Sequence, residues 1–113
     1  RFYLCYNGTD VNEYALIRQA ILDKKVIRAR YKGHVRLMCP HVIGLKDGHE
    51  HALFYQFGGG SRTGISPGSR NNWRCICVNE LSDVSIVEGA WHTANNHSRA
   101  NSCVDQVDVE VAY

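Results

Sequence analysis

The stretch at 25–39, KVIRARYKGHVRLMC, decides the fold. Its apolar side chains recur at every second position, the period of a strand lying half against a core. Over 25–32, Ile27, Ala29 and Tyr31 point one way, while Arg28, Arg30 and Lys32 point the other. Gly33 permits a tight turn. Over 34–39, Val35, Leu37 and Cys39 then alternate with His34, Arg36 and Met38. Two alternating runs across a glycine turn read as a hairpin.

Outward from this hairpin the same grammar continues. Pro40 lacks an N–H to donate, so it ends the pairing or sits at a bulge, and 42–45 resumes the strand. Asp47-Gly48 is a strong hairpin-turn signal. Residues 50–57 form a third strand with His51, Leu53, Tyr55 and Phe57 on one face. Strands are expected at 73–78, at 84–87 after a turn at 80–83, and at 104–113, where Val107, Val109 and Val111 alternate with acids. Upstream, 2–6 reads as a short strand broken by Asn7-Gly8. Val11, Tyr14, Ala15, Ile17, Ile21 and Leu22 follow helical spacing, which gives one amphipathic helix over 11–24. Asp10 caps it with Glu13 three positions on, and Lys24-Lys25 suit the negative end of its dipole. The segment 58–72, GGGSRTGISPGSRNN, is the one long irregular stretch, and its glycine and serine content suggests a flexible loop. The fold class expected is mainly β with one N-terminal α-helix, the strands antiparallel and curled into a small, partly open barrel.

The chain has 113 residues, of which 44% are hydrophobic and 21% charged, so a single soluble globular domain over 1–113 is expected. No apolar run approaches the roughly 20 residues of a membrane helix, and 2–6 is too short for the core of a secretory signal. The five cysteines are Cys5, Cys39, Cys75, Cys77 and Cys103. An odd number without a secretory segment argues against a disulfide framework and for a reducing, cytoplasmic setting, with the cysteines as small buried apolar residues. The net charge of +2 is unevenly spread. Between Arg18 and Arg36 seven basic residues face the single acid Asp23, whereas from Glu80 to Tyr113 six acids face Arg99 alone. A basic segment of this density suits phosphates or nucleic acid.

Several constellations carry possible chemistry. His49 and His51, with Cys75 and Cys77, offer four potential zinc ligands, but the usual two-residue spacing is absent. Cys39 stands two residues from His41, as a thiol nucleophile and its base would, although strand cysteines are more often inert. Ser98, His97 and Asp105 lack any local triad signature. No catalysis, metal or cofactor is expected. The glycine-rich segment lacks the lysine of a nucleotide-triphosphate loop, yet Arg62 and Arg70 within it could close on an anion. The strongest feature is the basic strand face: Arg28, Arg30 and Lys32, Arg36 on the hairpin partner, and Tyr31, His41 and Trp73 available to stack on bases.

The span 20–87 resembles the WYL domain, a regulatory module of bacterial and phage transcription factors. The likeness rests on AILDKKVIRARYKG at 20–33, HVRLMCPHVIGLKDG at 34–48, HALFYQF at 51–57 and WRCICVNELSDV at 73–84. Tyr31 and Gly33 fit the family's first strand, Arg36 and Pro40 its second, and Arg74 its last. The name-giving triplet falls on His51-Ala52-Leu53, of which Leu53 matches, and 59–72 is longer than the family's hairpin. The core of the domain would be 20–88 and 89–113 an extension with a terminal strand. The resemblance implies an Sm-like small β-barrel that senses a phosphate-bearing ligand, either single-stranded nucleic acid or a nucleotide second messenger. Carried over by position, its ligand-binding residues are Tyr31, Arg36, His41 and Arg74, with Arg28, Arg30, Arg62, Arg70 and Trp73 as accessories. Transcription control would then need self-association or a DNA-binding partner protein, with no membrane involved. The terminal strand could pair with another copy. The competing expectation is a protein–protein interaction module or oligomeric scaffold that acts through the acidic C-terminal surface.

Overall fold

The computed structural model describes residues 13–60, 72–92 and 103–112. One helix, α1 (Glu13–Asp23), precedes six strands: β1 (Val26–Tyr31), β2 (His34–Lys46), β3 (His49–Gly59), β4 (Trp73–Cys77), β5 (Ser82–Val87) and β6 (Gln106–Glu110). The helix stops where expected, and its end is a left-handed cap. Lys24 takes φ 56°, Lys25 N–H reaches the Ala20 carbonyl at 2.8 Å, and Lys24 N–H reaches that of Ile21 at 3.2 Å. These are the paired bonds of a Schellman motif, and they aim the chain directly into β1.

All pairings are antiparallel, in the order β4-β3-β2-β1-β5, with β6 added along the second half of β2. Two hairpin turns set the register. Lys32 and Gly33 (φ 49° and 79°) join β1 to β2, and Asp47 and Gly48 (φ 53° and 82°) join β2 to β3. Both central residues have positive φ, the turn whose twist matches that of paired strands.

The expected barrel is not closed by hydrogen bonds: among the described residues β4 and β5 remain the two ends of the sheet path. Of the two readings of Pro40, an end to the pairing or a bulge, the structure has the bulge. β2 runs unbroken for 13 residues, and the ladder to β3 shifts register between Pro40 and Val42, so His41 is the extra residue of a bulge. Because a bulge inserts one residue, the alternation of faces inverts there. Arg36 and Met38 before it share a face with Ile43 after it.

Both faces of the sheet centre are covered. On one, Ile17, Ala20 and Ile21 of α1 pack over Ile27, Ala29, Met38, Ile43, Phe54 and Ile76. On the other, Val26, Cys39 and Tyr55 lie under Phe57, Trp73, Val87 and Trp91. Val42, Leu53, Cys103 and Val104 adjoin them beside Trp73. β3, read as carrying His51, Leu53, Tyr55 and Phe57 on one face, is also buried on the other, through Ala52, Phe54 and Gln56.

The C-terminal alternation is also broken. β6 shifts register against β2 between Ile43 and Gly44, so Val107 is 48% exposed while Val109 and Val111 are buried. Asp108 turns instead toward α1, where it accepts the Tyr14 hydroxyl at 2.6 Å and Arg18 Nε at 3.2 Å. The cysteine reading needs correction too. Cys75 on β4 is bonded to Cys103, 28 positions away, which ties an end strand to the segment leading into β6. Cys39 and Cys77 are not in a disulfide. The expected strand at 2–6, the Asp10 cap and Cys5 lie outside the described residues.

Candidate functional site

Tyr31, Arg36 and Arg74 converge on one side chain, Gln56. The register explains why. Ala29 pairs with Arg36, Met38 with Gln56 and Phe54 with Arg74. With the two-residue period of a strand, Tyr31, Arg36, Gln56 and Arg74 therefore rise from the face that carries Ala29, Met38, Phe54 and Ile76. They gather at the end of that face nearest the β1–β2 turn, where the packed apolar layer gives way to polar groups.

The oxygen Oε1 of Gln56 accepts Arg36 Nη1 at 3.2 Å and Arg74 Nε at 3.1 Å. Its nitrogen Nε2 donates to the carbonyls of Gly58 at 2.9 Å and Gly60 at 3.0 Å. Both amide hydrogens are thus consumed by carbonyls at the end of β3 and just beyond it, which leaves the oxygen no choice but to face the arginines. Arg36 Nε also donates to the Tyr31 carbonyl at 3.3 Å, and its guanidinium lies 4.8 Å above the Tyr31 ring. Arg74 Nη1 donates to the Trp73 carbonyl at 3.2 Å.

Arg36 is 4% exposed. The ion pairs among the described residues are Arg18–Asp108, Arg30–Asp83 and Lys46–Asp105, and Arg36 belongs to none of them. A buried cation held by neutral oxygens is poorly compensated. Burial, and after it the neighbouring Arg74 guanidinium, holds Arg36 below the usual guanidinium range, with Tyr31 acting weakly the other way. Burial lowers Arg74 as well. An anion entering here would meet planar donors already fixed in direction, the arrangement that favours bidentate recognition of phosphate or carboxylate.

The other candidate residues stand elsewhere. His41, thrown out by the bulge, is fully buried on the opposite face. Its Nδ1 donates to the Cys39 carbonyl at 2.8 Å, and its ring packs 4.6 Å from Trp73 and 4.3 Å from Trp91. Trp73 itself lies edge-on to Tyr55 at 5.1 Å. These rings brace the sheet from behind the arginine cluster. Arg28 and Arg30 are exposed on that opposite face too, lining a shallow cavity of about 160 Å³ with Ala29, Val35 and Asp83. Arg30 Nε is 3.4 Å from Asp83. Arg62 and Arg70 lie outside the described residues, as do His97 and Ser98.

The alternative chemistries fare less well. Cys75 is tied in the disulfide, and among the described residues no group of three or more potential metal ligands forms. The Cys39 thiol is pushed up to about 11 by burial, partly offset by the His92 N–H that donates to it at 3.1 Å. That is the opposite of what a thiolate nucleophile needs.

Gln56 is the residue that reading the sequence passed over. Its signal was present: a lone amide in the apolar run ALFYQF, on the face that alternation leaves to Ala52 and Phe54. Comparison with family models, curated proteins and solved structures returns no match to this chain.

Proposed function

We propose that the chain is a WYL-like ligand-binding domain whose sheet, an open relative of the Sm-like barrel, takes a phosphate-bearing ligand at Tyr31, Arg36 and Arg74. The ligand class is single-stranded nucleic acid or a nucleotide second messenger. The observation that carries this reading is the convergence of two guanidiniums on one neutral amide oxygen, one of them buried without an acid. The phosphate would be held by the arginines, and Tyr31, with Arg36 4.8 Å and Lys32 Nζ 5.4 Å from its ring centre, would stack on or hydrogen-bond a base. His41 and Trp73 serve as support from the far face rather than as contacts. Cytoplasmic residence follows here from the ligand class and not from the cysteines.

Titration with a short oligonucleotide and with nucleotides at two ionic strengths tests the reading. Affinity should fall as salt rises, with a logarithmic slope of about −0.7 per phosphate neutralised on a single strand. Arg36→Ala and Arg74→Ala should each remove most of the binding. If both variants bind like the parent, the site is misplaced. The competing reading, an interaction module with an acidic C-terminal surface, has less to draw on: Asp105 pairs with Lys46, and Asp108 is spent on Tyr14 and Arg18.

A further inference from the structure

We infer that Gln56 is the charge-setting residue of this site: its neutral amide, locked oxygen-first against Arg36 and Arg74, gives the buried Arg36 no negative charge and leaves that charge to the ligand. This rests on the anion-binding reading above and asks which residue makes the site selective for anions. The argument is one of substitution in place. A glutamate has the same length as glutamine and would put a carboxylate oxygen where Oε1 now receives two guanidinium donors at 3.2 and 3.1 Å. The site would then contain its own anion, and the buried Arg36 guanidinium would be satisfied without a guest. Hydrogen bonds from guanidiniums to a carboxylate are roughly twice as strong as those to a neutral oxygen, a gain set against the two N–H donations glutamate lacks and the two carbonyls its second oxygen would face. The fold invests both N–H groups of that amide in the Gly58 and Gly60 carbonyls to keep it oriented. A residue serving only to fill space on this face would need neither the oxygen nor the two donations. Gln56 acts through the arginines and is thus a positioning residue that touches the ligand only electrostatically.

The test compares Gln56→Glu with Gln56→Met in binding a 5′-phosphorylated oligonucleotide. Both variants lose the two donations to Gly58 and Gly60, and Q56E also sets a carboxylate oxygen against those two carbonyls, so a merely structural role predicts a Q56E that melts below Q56M and keeps the parental salt slope. The charge-setting role predicts that Q56M stays within a few-fold of the parent. It predicts that Q56E binds at least about 10-fold more weakly than Q56M, because a unit charge a few ångströms from the bound phosphate repels it in a partly buried site. The salt slope should flatten in Q56E and persist in Q56M. Q56E should also melt at or above Q56M, since its carboxylate meets two guanidiniums. Equal affinities for the two variants, or a Q56E that does not fold, overturn the inference while leaving the anion site in place. A parent protein that binds no phosphorylated probe overturns both.

Discussion

Arg36→Met separates what a buried arginine does for folding from what it does for a ligand. Methionine matches the length of the arginine stem and carries no charge, so it fills the same space flexibly. The change deletes two hydrogen bonds from a charged donor, to Tyr31 O and Gln56 Oε1, each worth about 1.5–3 kcal/mol, and a stacking contact worth roughly 0.5–2 kcal/mol. It also releases a guanidinium that is 4% exposed from a desolvation cost of several kcal/mol, and it ends the repulsion from Arg74. No acid is left stranded, because among the described residues none pairs with Arg36. Gln56 Oε1 keeps Arg74 as a donor. The terms nearly cancel.

The expected stability of the variant lies between about 1 kcal/mol below and about 2 kcal/mol above the parent, in line with apolar replacement of other buried charges. Binding should respond quite differently. Removing one partner of a desolvated charge contact costs about 2–4 kcal/mol, roughly a 30-fold to 1,000-fold loss of affinity. Urea melts and phosphate-ligand titrations on the same preparations read both quantities. A protein destabilised by more than about 3 kcal/mol would make Arg36 a structural residue. Unchanged binding would refute its role as a receptor.

Three further outcomes follow from the fold. Breaking Cys75–Cys103, by reduction or as the double serine variant, should lower stability by about 3.5 kcal/mol on loop-closure entropy for its 28-residue separation, and a drop in the urea midpoint worth less than about 1 kcal/mol would contradict a linking role. Gly44→Ala would place a Cβ onto the Gln106 carbonyl and 3.0 Å from the Asp108 nitrogen, so β6 must lift from β2; amide exchange at Asp105 and Val111, which bond to the Leu45 and His41 carbonyls, should quicken, and parental protection there would refute the pairing. Asp108 is held below the ordinary aspartate range, by the Tyr14 hydroxyl first and then by Arg18, so its contribution is present above the unfolded-state value near 3.8 and is lost as pH falls through the lower folded value; Asp108→Asn should flatten that acid limb of the stability profile, and an unaltered limb would count against the contact.

The chain's local rules made much of the fold legible. Alternation over 25–39, a glycine at each hairpin turn and helical spacing before Lys24 identify α1, β1, β2 and β3, because short-range sterics and a half-buried surface write themselves directly into residue order. What alternation could not supply was the count of covered faces. Leu53 and Tyr55 announce one core, but Ala52 and Phe54 between them belong to another, and a run apolar on both sides is the mark of a strand buried on both. The Cys75–Cys103 bond escaped for a related reason: its partners meet only because β3 brings β4 within reach of the segment that leads into β6, a long-range consequence of topology.

The site was legible in its charges and illegible in its grouping. Tyr31, Arg36 and Arg74 were identifiable as candidates, and they do meet. His41 was grouped with them by position in the family resemblance, and a bulge at Pro40, one of the two readings its missing N–H allowed, was not carried through to the side on which His41 falls. A proline that cannot donate favours a bulge, and a bulge moves every later side chain to the other face. The single extra residue at 41 therefore does two things. It sends the histidine behind the sheet, between Trp73 and Trp91, and it lets Ile43 rejoin the face of Met38 so that the core under α1 continues past the bend. Without it, a β2 that points Arg36 and Met38 toward Gln56 and the helix would have to turn Ile43 outward and Val42 inward. The apolar core continues past Met38 on the face that carries the cationic corner because the strand breaks step at His41.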